Sequence, residues 1–125
     1  MSISNYAEAA ILDAIFNNTA LQKSARYVQL HTADPGEDCT TAVATETSRK
    51  SVTGAASSNP GGVFTSVNDL IWTSVAGTET YAYVSIWDAS TSGNALWSGA
   101  LTTPRAVTAG DTFTIPTGSL TVTLA

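Results

Sequence analysis

Cysteine is nearly absent from this chain. Cys39 is the only one in 125 residues, which excludes an intrachain disulfide and any cysteine-rich zinc site. An exposed interchain thiol link is the one covalent option left, and reducing compartments disfavour it. Charge is almost as scarce: Asp, Glu, Lys and Arg make up 12% of the residues, about half the usual quarter. Five basic residues scatter from Lys23 to Arg105 against ten acidic ones, leaving a net charge of −5. The clustered cations that phosphate binding requires are missing, so nucleic acid is not an expected partner. No apolar run approaches the length of a membrane span, and no membrane partner is expected. The first residues lack the basic, apolar, small-residue order of a signal peptide, being interrupted by Asn5, Glu8 and Asp13; synthesis and folding in a cytoplasm is the expectation.

Reactive groupings are equally thin. His31 is the sole histidine, and a nucleophilic triad would need it beside a serine or Cys39 with an orienting carboxylate. No nucleophile elbow or papain-like cysteine motif surrounds any of these, so His31 reads as a strand-end residue hydrogen-bonded to a neighbouring loop and Cys39 as a small loop residue. The glycines never fall in a phosphate-cradling spacing before a helix. Asp88 and Asp111 sit at turns, where capping a backbone amide explains them better than acid–base catalysis. Asp34, Glu37 and Asp38 offer oxygen ligands for calcium, but their spacing matches no EF-hand loop and Asp34-Pro-Gly36 is a good turn. The expectation is therefore a protein without catalytic, cofactor or metal residues, and not an enzyme. Trp72, Trp87 and Trp97 lie in or beside strands and read as core or interface packing, which makes them the candidate interface residues; an exposed one would also serve as a sugar platform.

What the chain does contain is β-patterned sequence broken by turn residues. Tyr83-Val-Ser-Ile-Trp87 alternates Val84 and Ile86 against Tyr83, Ser85 and Trp87, the period-two signature of a strand. Asp88 to Asn94 predicts a turn closing a hairpin onto Ala95-Leu-Trp-Ser98. The same design repeats, with Ala109-Gly-Asp111 between Arg105-Ala-Val107 and Thr112-Phe-Thr-Ile115, and Pro116-Thr-Gly118 before Ser119 to Leu124. In that last run Leu120, Val122 and Leu124 share one face and Ser119, Thr121 and Thr123 the other, as in an antiparallel sheet with one wet side.

The N-terminus differs. Asn5-Tyr-Ala-Glu8 resembles a capping box, and Ala7, Ala10, Ile11, Ala14 and Ile15 form a helical stripe, predicting an amphipathic helix over about 5–16 that covers the sheet or docks on a partner. Asn17-Asn18-Thr19 ends it. Arg26-Tyr-Val-Gln-Leu-His31 predicts the first strand, residues 32–62 are loop-rich with turn signals at Asp34-Pro-Gly36 and Ser57-Ser-Asn-Pro-Gly-Gly62, and 63–125 holds the antiparallel strands. The expected fold is a single mainly β domain over 1–125, an antiparallel β-sandwich or β-roll with one N-terminal helix.

Leu30-His-Thr-Ala-Asp-Pro-Gly36, the Ser-Asn-Tyr-Ala-Glu8 helix start, Ile86 to Asn94, Ser98-Gly-Ala-Leu101 and Ala109 to Leu124 together resemble a group of small virion proteins of tailed bacteriophages, commonly labelled tail-fibre proteins. The resemblance covers both ends and less of the middle, where Thr47-Ser-Arg-Lys50 departs from an aromatic–basic pattern. It implies a non-enzymatic structural component of the virion. A low-charge, Ser/Thr-rich surface suits a protein packed against copies of itself or a larger assembly, and the expected role is a cement or decoration protein on the capsid. It would bind the major capsid protein as a small cyclic homo-oligomer such as a trimer. A tail-fibre or baseplate component bound to tail proteins, and a module binding host glycan, are the alternatives.

Overall fold

The turn after Trp87 sets the centre of the fold. Asp88 N donates to Asn94 O at 3.1 Å, and the Asp88 carboxylate accepts from Asn94 N at 2.7 Å and from its side-chain amide at 3.1 Å. Gly93 takes φ +77°, and a Cβ there would lie 2.5 Å from Asp88 Oδ1, so only glycine fits. This turn joins β7 (Glu79–Trp87) to β8 (Ala95–Val107) as the predicted hairpin. A computed structural model describes residues 2–21, 23, 25–56 and 63–123. The Ser57 to Gly62 turn signal and Leu124 lie outside them.

On the other side of β7 runs β2 (Tyr27–His31), in register from Tyr27 opposite Trp87 to His31 opposite Tyr83. Two-residue strands finish the edges, β1 (Ser2–Ile3) on β8 and β3 (Lys50–Ser51) on β2, giving the order β1-β8-β7-β2-β3. Two smaller sheets lie apart from it: β10-β5-β4, from Thr121–Thr123, Val63–Ser66 and Gly54–Ala56, and β6-β9, from Leu70–Trp72 and Phe113–Ile115. All the pairings are antiparallel. The molecule is mainly β with a single helix among the described residues, α1 (Asn5–Phe16), the fold class the pattern predicts and one consistent with a β-sandwich. Its core joins Val28, Leu30, Val84, Ile86 and Leu96 of the large sheet to Leu70, Trp72, Phe113, Ile115, Leu120 and Val122 of the small ones. Phe113 stands edge-on to Tyr81 with centroids 5.1 Å apart, and 5.8 Å from Trp72.

Three expectations need correction. The turns at Ala109–Asp111 and Pro116–Gly118 exist but close no hairpins, because β9 pairs with β6 and β10 with β5. The first turn spends its backbone groups on Val75, with Val75 N to Asp111 O and Gly110 N to Val75 O both 2.9 Å. The second is captured by the turn before β6, with Gly118 N on Ser66 O at 2.9 Å and Thr117 N on Asp69 Oδ1 at 2.8 Å. Strands also occur where none was expected: β1 precedes the expected first strand, and β3 and β4 fall within the loop-rich 32–62. Gly54 permits β4 because the Phe64 ring lies over it, where a Cβ would come within 2.7 Å of the ring.

The helix cap moves by one residue. Ser4, held extended at φ −79° and ψ 159° by the pairing of β1, accepts from Ala7 N at 3.1 Å. Its own N–H reaches Leu96 O at 2.9 Å and its hydroxyl Ala95 O at 2.5 Å, so one serine caps the helix and hooks it to β8. Asn5 instead donates to Asp38 at 3.3 Å. At the far end Asn17 N closes on Asp13 O, and Asn18 at φ +53° stops the helix as predicted.

Two outcomes follow from this core. Trp72 is 1% exposed and donates its indole N–H to Ser48 O at 2.9 Å, so Trp72→Ala is expected to lower the unfolding free energy by about 3–5 kcal/mol, read as a drop in the urea midpoint. Burial, with Glu79 and Glu46 nearby, pushes the Tyr81 phenol up to about 12. Between pH 10 and 12 the unfolded chain loses this proton and the native one keeps it, so stability falls with rising pH; Tyr81→Phe should flatten that part of the profile.

Candidate functional site

Of the three tryptophans expected at an interface, two are buried within the chain. Trp72 is a core residue, and Trp87 is buried with its ring under the Arg49 guanidinium, 4.0 Å from the ring centroid, and its N–H bonded to Ser85 Oγ at 2.8 Å. Trp97 is half-buried against the core and lines a small apolar hollow beneath α1 with Ala7, Ile11 and Leu96. Only Trp97 keeps area for a partner. The reason is the pairing: β7 is flanked by β2 and β8, and the Trp87 face of this strand trio is itself covered, by the 36–42 loop and Arg49.

Beneath that cover lies a buried polar cluster. His31 and Ser85, both 0% exposed, sit across β2 and β7 with Nε2 and Oγ 2.7 Å apart. His31 Nδ1 lies 3.0 Å from Thr41 O, which can only accept, so Nδ1 carries the proton and Nε2 accepts from the Ser85 hydroxyl. Ser85 in turn accepts from Trp87. The expected bond from His31 to a neighbouring loop is present. A hydroxyl beside an imidazole resembles a nucleophile and its base, but here a carbonyl stands where an orienting carboxylate would be, and the pair is sealed from solvent. The arrangement ties the loop to the sheet. Cys39 plugs the same layer at φ +57°, buried with Trp87 and Ala95, and burial pushes its thiol up.

Around it, charges serve the backbone. Lys23 Nζ bonds Asp88 Oδ2 at 3.1 Å and the Tyr6 hydroxyl at 2.5 Å. Burial works to raise the Asp88 carboxyl, but the Asn94 N–H groups and Lys23 outweigh it and hold it below the ordinary carboxylate range. Arg49 donates to Ala89 O at 2.9 Å and Ser92 O at 2.7 Å. Asp111 accepts from Thr108 N at 2.8 Å, so both turn aspartates cap amides as their positions suggested. Lys23, Arg49 and Tyr6 carry no local sequence signal; long-range contacts bring them to the 88–94 turn. Between that turn and Asp34–Thr41 lies a recess of about 230 Å³ lined by Tyr6, Glu37, Asp38, Trp87 and Asn94. Asp34 accepts from Gly36 N at 2.9 Å within its own turn, and among the described residues no three His, Cys, Asp or Glu side chains converge to hold a metal.

The polar interior and capped turns describe a rigid body, and comparison with known families says which kind. The family described as podophage GP4 fiber I protein gp80 matches residues 2–123. The chain belongs to this family. No curated protein matches it. Membership places it among fibre-type structural proteins of bacteriophages and so with the virion, and no helix among the described residues is long and apolar enough to cross a membrane.

The sealed imidazole gives this fibre-family fold a pH dependence. Burial lowers the His31 pKa, and the Arg49 charge adds to the effect against the hydrogen bonds to Thr41 and Ala42. As pH falls through 6.5 the unfolded chain takes up a proton that the native one refuses, so stability is full above about pH 7 and declines below it until the native pKa is reached. A urea midpoint that drops from pH 7.5 to pH 5, with a smaller drop in His31→Gln, is the expected result.

Proposed function

We propose that this protein is a non-enzymatic structural unit of a bacteriophage fibre, a small rigid β-body carried on the tail side of the particle. The observation that carries this reading is the family match over residues 2–123. The fold agrees with it. A unit that bears load gains from a body whose turns and loops are held by side chains, as Asp88 and Asp111 hold their own turns, Asp69 the 116–118 turn and Glu79 the backbone at Thr45, and the His31–Ser85 pair is walled off from any substrate.

A capsid cement bound to the major capsid protein makes similar demands on the fold, but the family description favours the fibre, so tail proteins become the expected partners. A homo-oligomer would have to assemble without Trp72 and Trp87, whose surfaces are consumed within one chain. The glycan-binding reading would have to do without Trp72 and Trp87 as platforms, since the first lies in the core and Arg49 covers the ring of the second.

The copy number per purified particle, by quantitative mass spectrometry against the major capsid protein, tests the reading. A small fraction of the capsid copy number is expected. A ratio near one would overturn it in favour of the cement, and absence from washed particles would overturn both.

A further inference from the structure

Helix α1 is mounted with its small side inward. Where it lies on β8, Ala7 is buried and Ala10, Ile11 and Ala14 are half-buried. Leu12, Ile15 and Phe16 are 56%, 66% and 76% exposed. Residues three and four apart share a helix face, so these three form one stripe directed away from the sheet, with Glu8 one turn before Leu12 on the same line and Asp13 at its flank. The helix holds no Lys or Arg, and its last turn has no basic residue to offset the negative C-terminal end. The surface is thus a compact apolar ridge with an acidic border.

We propose that this ridge is the docking element for a different protein, one offering an apolar groove with Lys or Arg along its rim, which takes the C-terminal half of α1 as a helix in a groove. A second copy fits poorly. Two α1 helices side by side in parallel bring Asp13 and the negative C-termini together, and antiparallel they lay Glu8 against the other C-terminus; neither arrangement supplies a cation. A helix pair would also bring together only a few residues a side, against roughly 20–30 a side in a stable complex. A groove enclosing the ridge on several sides escapes this limit. A membrane fits no better, because surface-lying helices carry Lys and Arg on the polar face, whereas this one carries Glu8 and Asp13 on a chain of net charge −5. The inference rests on the fibre reading only in naming the particle as the place where the partner is found.

The test uses the assembled virion. A photo-crosslinking benzoylphenylalanine placed at Phe16, irradiated in purified particles and mapped by mass spectrometry, is expected to join a different chain within a peptide that carries Lys or Arg beside apolar residues. Ile15→Ser with Phe16→Ser should reduce incorporation into particles at least tenfold while leaving the thermal midpoint of the isolated protein in place, and Glu8→Lys with Asp13→Lys should also reduce it. A crosslink to this same chain, a crosslink to lipid, no crosslink at all, or full incorporation of either double variant overturns the proposal. Capsid-like copy number with a crosslink to a basic-rimmed groove would instead fail the fibre reading and leave the docking ridge standing.

Discussion

Strand β7 is covered on both faces, and most of the structure is arranged to make that possible. One face carries Val84 and Ile86 into the core; the other carries Ser85 and Trp87 under a lid of loop and Arg49. A strand buried on both sides must have its polar side chains satisfied, since an unpaired buried hydroxyl or imidazole costs on the order of 1–3 kcal/mol. The chain from Thr41 O through His31 and Ser85 to Trp87 meets that demand at one end of β7 with neutral groups alone, whereas the Tyr81 hydroxyl on the same strand is buried without a hydrogen-bond partner. Being neutral, the Thr41-to-Trp87 chain avoids the desolvation penalty of a buried ion pair, and for the same reason it resists protonation.

Scarcity of charge shapes the rest. The carboxylates Asp69, Glu79, Asp88 and Asp111 bond to backbone amides of turns and loops, and Asn68 bridges Thr53 and Ser51. Such contacts fix loops that short strands alone would leave loose. The small sheets, of two and three strands, are tied by this stitching in addition to their ladders, because the turns at 67–69 and 116–118 interlock.

The outer surface then divides by chemistry. The end bearing the 88–94 turn is polar and locked, while the exposed side of α1 is apolar and free of basic residues. A helix that buries alanines and exposes Leu12, Ile15 and Phe16 gains little from its own fold by carrying them. Their cost in water is an exposed apolar patch of the sort that marks interaction sites, and a fibre unit must be attached somewhere.

Much of this was legible in the sequence. Residues 5–16 read as helix, 88–94 as a hairpin turn, and Leu120 and Val122 as inward with Thr121 outward, because each signal lies within a few residues and depends on local dihedrals or on a period. The antiparallel β class follows from the same patterns, and the resemblance to phage virion proteins foretold the family at its coarser level. Tertiary structure alone decided the partners. A period-two pattern names the buried face of a strand but not its neighbour, so the turns at 109–111 and 116–118 gave no sign that Val75 and Ser66 would claim their backbone groups. Ser4 displaced Asn5 as the cap because β1 pairs with a strand more than ninety residues away. The tryptophans illustrate the limit most plainly: a large aromatic in a strand suits a core and an interface equally, and only the closing of Arg49 over Trp87 and of the small sheets over Trp72 shows these two buried within the chain.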